Sequence, residues 1–153
     1  MGCDCHMYVE KRIEGKWVSA EAMLPDENGL LQVPYPQQVY TGRNYALFGF
    51  LTEGKVRQDI GIYVGKLKDF PADACKELQD IFISWAGDAH TPNWLTLKEL
   101  QDVDWKQLVL DDDKEVPLSV AFEHFYWDVV MRLPFYSMGS KPEDIRIVFW
   151  FDN

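Results

Sequence analysis

The chain has 153 residues, enough for one domain with its own core, and its 6 Trp, 7 Tyr and 9 Phe supply large apolar area for that core. A formal net charge of −10 excludes non-specific binding to nucleic acid, which needs a basic face. Three cysteines, no leader-like opening and no apolar run long enough for a bilayer give the expectation of a reduced, cytoplasmic protein that does not enter a membrane.

Residues 2–13 alternate with period two. Cys3, Cys5, Met7 and Val9 fall on one side, and Asp4, His6, Tyr8 and Glu10 on the other. This predicts a strand with one buried face and one polar face. Glu14-Gly15-Lys16 then signals a turn, with residues 17–20 returning as a hairpin partner. Residues 24–40, with three prolines and Asn28-Gly29, predict a loop. A helix is expected over 43–52, capped by Thr41, and a short strand is possible near Ile60–Val64. Pro71 opens a second expected helix whose stripe of Ala74, Leu78, Ile81, Phe82 and Trp85 ends at Gly87. Asp88 to His90 then reads as a loop. Thr96-Leu97-Lys98-Glu99 is a capping box that opens a third helix. Asp111-Asp112-Asp113 reads as an exposed acidic turn. A fourth helix is expected over 119–133, stopped by Pro134, and on it His124 pairs with Asp128. Residues 145–151, apolar on nearly both faces, predict a central strand. The expected fold is α+β: a single domain over 1–153, with the N-terminal hairpin and C-terminal strand in one mainly antiparallel sheet packed by about four helices.

Of the three histidines, two follow an aspartate at i+2: Asp4-Cys5-His6 and Asp88-Ala89-His90. On extended backbone, i and i+2 point the same way, so each pair aims a carboxylate and an imidazole at one region. Such donors suit Zn, Mn or Fe, or an acid–base pair. Asp4, His6, Asp88 and His90 are therefore the candidate catalytic and metal-ligating residues. Arg43, Tyr45, Tyr8 and Glu10 are candidate ligand-binding residues. Arg43 and Tyr45 offer an anion contact and a stacking ring at a helix start, while Tyr8 and Glu10 share the polar strand face. Glu10 lies about 20 Å along the strand from Asp4, too far to share one ion with it. Trp94 is expected to pin the loop that carries the second pair. The sequence contains no phosphate-cradling glycine loop, dinucleotide fingerprint or Gly-x-Ser-x-Gly element.

The opening Met-Gly-Cys-Asp-Cys-His-Met-Tyr-Val-Glu resembles a family of small phage and prophage proteins that typically begin Met-Gly-Cys-Asp-Ile-His. Arg43-Asn44-Tyr45-Ala46-Leu47-Phe48, the Gly87–His90 and Trp94–Thr96 blocks, and the end from Val148 to Asn153 are similar to elements of the same family. The resemblance implies a phage origin and hence the cytoplasm of a bacterial host, and it brings no activity with it. Cys5 stands where the family has Ile, which favours a small buried side chain over a metal ligand.

Three functions are compatible with these residues. One is metal-assisted hydrolysis of a phosphorylated or nucleotide-like small molecule. The second is binding or sequestering of a nucleotide or host protein without turnover. The third is a structural or assembly role with no active site.

Overall fold

The computed structural model describes residues 2–153. The expected α+β architecture holds: an antiparallel four-stranded sheet is flanked by helices on both faces. In spatial order its strands are β2 (Lys16–Ser19), β1 (Asp4–Ile13), β8 (Ile145–Asp152) and β5 (His90–Thr96). Two small hairpins lie outside the sheet: β3 (Leu24–Pro25) with β4 (Leu31–Gln32), and β6 (Leu108–Asp111) with β7 (Lys114–Pro117).

The terminal strand is central, as its composition predicts, and Ile145 through Phe151 are all buried. Directly opposed residues in an antiparallel pair share a face, so the register defines two packed layers. Cys5, Met7, Val9, Ile147, Phe149 and Phe151 face the larger core. There they meet α1 (Tyr45–Leu51), α3 (Leu97–Gln101) and the helical segment that starts at α4 (Leu118–Ala121). Tyr8, Val148 and Trp150 face the other way. They pack under α2 (Lys76–Ser84) through Leu78 and Ile81.

Several local expectations change. The cap of α1 is Asn44, whose side chain accepts from the Leu47 amide, and not Thr41. Residues 60–64 form no strand. Loop 54–58 instead packs so closely on α1 that a Cβ at Gly49 would stand 1.7 Å from the Gln58 carbonyl oxygen. The capping box at Thr96 and Glu99 forms as read. The segment expected as one helix over 119–133 breaks at Phe122 (φ −114°, ψ 40°). It continues as α5 (Glu123–Phe125) and a π-turn over Tyr126–Val130. His90 opens a strand, where a loop was expected.

One charged residue crosses the central strand. Arg146 is fully buried between Trp17 and Trp94, with its guanidinium carbon 3.9 and 4.9 Å from their ring centroids. Its Nε donates to Glu10 Oε1 at 2.8 Å. Its Nη2 and Nη1 approach Glu10 at 2.7 Å and Asp73 at 3.0 Å as ionic contacts, off the hydrogen-bond line. A buried guanidinium needs such partners, because desolvation of an isolated charge costs several kcal/mol, on the order of 3–5 when one partner is removed.

Candidate functional site

The polar face of β1 is not uniform. Asp4 is exposed and His6 half-buried, while Tyr8 and Glu10 are buried, because α2 and the loop after Phe70 cover the C-terminal half of the strand. The expectation of one solvent-facing polar row therefore fails at Tyr8 and Glu10. Glu10 neutralises Arg146 and donates no group to a cleft; its second oxygen accepts the Cys75 amide at 2.8 Å.

The two Asp-x-His pairs do not meet. His6 opposes Trp150 on β8, whereas His90 opposes Phe151, on the other face of the same strand. The sheet thus stands between the two imidazoles. Each also has another partner. His6 Nε2 lies 3.2 Å from Asp152 Oδ1, and His90 contacts Thr91 through Nδ1 and Asn153 through Nε2. Asp4 is paired with Arg43, and Asp88 lies exposed at the end of a 3-10 turn. Among the described residues, no group of three or more His, Cys, Asp or Glu is placed to hold a metal ion. Asp4, His6, Asp88 and His90 do not fit one shared Zn, Mn or Fe ion.

What the first pair does line is a cleft of about 430 Å³. Its floor is the open end of β1, with Asp4, His6 and the edge of Tyr8. One wall is Trp85, the residue after α2, and the other is the segment from Gln32 to Gly42. The His6 ring lies 4.2 Å from Trp85, centroid to centroid, tilted by 41°. Beneath it Tyr8 stacks on Trp150 at 5.2 Å, and the Tyr8 hydroxyl donates to Gln32 Oε1 at 3.0 Å. Burial, and then the nearby Glu21 carboxyl, push the Tyr8 phenol well above its ordinary range. It stays a neutral donor at any ordinary pH. Gln38 Nε2 donates to the Val33 carbonyl at 3.3 Å. The other halves of the two amides, Gln32 Nε2 and Gln38 Oε1, have no protein partner among the described residues. Amide donors and an amide acceptor are thus left over at the cleft.

Arg43 and Asp4, read separately from the sequence, form one unit beside the cleft. Arg43 Nε and Nη2 donate to Asp4 Oδ1 at 3.0 and 2.6 Å. The bonded carboxylate holds the guanidinium in its charged form. A Cβ at Gly2 would come within 2.6 Å of Arg43 Nη1, so the glycine leaves room for this pair. Tyr45 does not reach the cleft. Its hydroxyl accepts the Cys3 amide at 3.2 Å, which fastens the start of β1 to α1, and its ring lines a separate cavity. Trp94 lies on β5, where its ring carries Lys68 Nζ at 4.0 Å and supports Arg146. Exposed His124 lies 3.9 Å from Asp128. Cys5 is buried, and burial pushes its thiol far from the thiolate form, so it offers no nucleophile.

Trp85, Tyr35, Gln32 and Gln38 complete the cleft and were not singled out from the sequence. Trp85 sits at the end of a helical apolar stripe, where a ring reads as core. The Gln32–Gln38 stretch lies in a proline-rich loop whose folding back onto β1 leaves no local signature.

No family model, curated protein or solved structure matches the chain. No helix among the described residues is long and apolar enough to cross a membrane.

Proposed function

We propose that this protein binds a small molecule with a flat heteroaromatic ring, of the nucleobase or nucleoside class, in the cleft beside His6, and does not turn it over. The observation that carries this reading is the pairing of ring walls with unused amide groups. Trp85, packed against His6, and exposed Tyr35 offer aromatic surface, while Gln32 Nε2 offers donors and Gln38 Oε1 an acceptor. A heterocycle presents π-faces and an edge of mixed donors and acceptors, which is the complement of that set. The volume, about 430 Å³, suits such a ligand. The metal-dependent hydrolase reading loses support because His6 and His90 lie on opposite faces of the sheet.

The charge favours the unphosphorylated form. Arg43 is already neutralised by Asp4, and the chain carries −10, so a phosphate gains little attraction here. A phage origin, implied by the opening residues, fits a protein that withholds such a molecule from its host.

The test is calorimetric titration with adenosine, guanosine, cytidine, uridine and their 5′-monophosphates, with chromatography of the recovered ligand. At least one nucleoside is expected to bind more tightly than its monophosphate and to return intact. Trp85→Ala should weaken it by about tenfold, since stacking of one base is worth roughly 1–3 kcal/mol. If no compound binds at millimolar concentration, or if Trp85→Ala binds equally well, the reading fails.

A further inference from the structure

A second cavity, about 710 Å³, is lined by the start of α1, residues 58–62, β6 and residues 121–122. Its floor is Ile60 and buried Phe122. One side is strand β6. Leu108 and Leu110 line it and remain 57% and 74% exposed, an unusual pair of large apolar side chains to leave in water on neighbouring same-face positions. Its rim is acidic, with Asp111 and Asp112 at the hairpin tip and Asp59 opposite. Asp59 is held below the usual carboxylate range, first by the Tyr63 hydroxyl and then by the Gly61 amide, so it is ionised.

The backbone of β6 is also available. Asp112 and Asp113 form a two-residue turn with φ of 50° and 65°, and Asp111 faces Lys114 across it. In such a hairpin the residues flanking the turn bond each other, so Asp111 and Val109 direct their amides and carbonyls at β7. Leu108 and Leu110 direct theirs outward. β7 is the one strand that pairs with β6, and among the described residues Leu108 and Leu110 make no backbone hydrogen bond outside the hairpin.

We infer that β6 accepts an extended partner segment in which Lys or Arg alternates with apolar residues. The segment adds as a strand to the open edge. Its apolar side chains cover exposed Leu108 and Leu110, and its cations, on the face of Val109 and Asp111, meet the acidic rim over the cavity. Strand addition supplies the backbone hydrogen bonds and the groove supplies the selectivity. Charge decides the occupant. A second copy of this chain would bring the same acidic hairpin tip against the first, and each copy carries −10. A basic segment relieves that charge. Lys55 beside Asp59 and Arg57, whose guanidinium lies 4.9 Å from the Tyr45 ring, supply cations on the Asp59 side, whereas at the hairpin Asp111, Asp112, Asp113 and Glu115 face Lys114 alone.

The probe is a fluorescein-labelled peptide, Val-Arg-Val-Lys-Val-Arg, with Val-Glu-Val-Asp-Val-Glu as its opposite, read by fluorescence anisotropy at two salt concentrations. The basic peptide is expected to bind saturably, more weakly at high salt, and the acidic one not at all. Asp111→Asn with Asp112→Asn should weaken binding by about fivefold. Leu110→Pro removes an outward amide while leaving the hairpin ladder intact, and should weaken it by about tenfold or more. Should Leu110→Pro fail to fold, the exposed double Asn variant still decides the matter. No saturable binding of the basic peptide, equal binding of both peptides, or wild-type affinity in folded variants overturns the inference. So does dimerisation of the chain through this edge, seen as a Leu110→Pro-sensitive dimer in sedimentation.

Discussion

Glu21 is the place where pH should act most directly on stability. It follows β2, in a turn fixed by Ser19 Oγ, which donates to the Glu21 carbonyl and accepts its amide. One carboxylate oxygen accepts the Val9 amide at 2.8 Å, and the other is buried with no partner. Burial outweighs the Val9 hydrogen bond and raises the acid from 4.5 to about 7. The folded protein therefore keeps this proton at pH values where the unfolded chain has released it. The contribution of Glu21 to stability is greatest below 4.5, falls as pH rises toward 7, and is flat above. The whole penalty for a rise from 4.5 to about 7 is about 3 kcal/mol. Between about pH 5.5 and pH 8 it is about 2 kcal/mol. Glu21→Gln keeps an oxygen for the Val9 amide and removes the titration. Urea denaturation followed by tryptophan fluorescence, on both proteins at both pH values, isolates this group, because other titrations cancel in the double difference. The variant should gain about 2 kcal/mol on wild type in going to the higher pH. A double difference below about 0.5 kcal/mol would mean that water reaches the second oxygen and that the burial argument is wrong.

Two further substitutions probe the frame that holds the site. Glu10→Gln leaves Arg146 with Asp73, a residue largely in water, as its remaining anion, and should cost on the order of 3–5 kcal/mol in urea titration; a cost near zero would show that the pair does not bear the central strand. Gly49→Ala forces a methyl into the Gln58 carbonyl and must push loop 54–58 off α1, so a loss of several kcal/mol, about 2–4, is expected in thermal unfolding, while an unchanged melting temperature would refute the close packing.

What the sequence made legible was local. Period-two alternation located β1, the Thr96–Glu99 capping box located α3, and a run apolar except for Arg146 located β8 at the centre of the sheet. What it hid depends on contacts far along the chain. His90 starts a strand only because β8 pairs with it, and nothing between Gly87 and Pro92 states that partner. The separation of the two Asp-x-His pairs has the same origin. Asp4 and His6 do face one way, but Asp88 lies in a 3-10 turn outside the strand that His90 opens, and the strand between the two histidines puts them on opposite faces. Phe122 breaks the fourth helix in the middle of an apolar stripe that reads as continuous.

One residue did hold long-range information. Arg146 sits in a strand apolar on both faces, where a lone cation is not tolerable, so an anion must lie opposite it. Residues opposed across an antiparallel pair share a face, and the strand with a carboxylate to spare is the first one. Among its even positions, Glu10 is the one far from the open end. Pairing Glu10 with Arg146 fixes the register of β1 against β8 and predicts that the polar face is buried around Glu10. It follows that a cleft on this face can involve only Asp4, His6 and the edge of Tyr8, which is where the structure opens one. The charge that looks out of place in the central strand therefore explains why the candidate site is short, and why it lies at the chain's beginning.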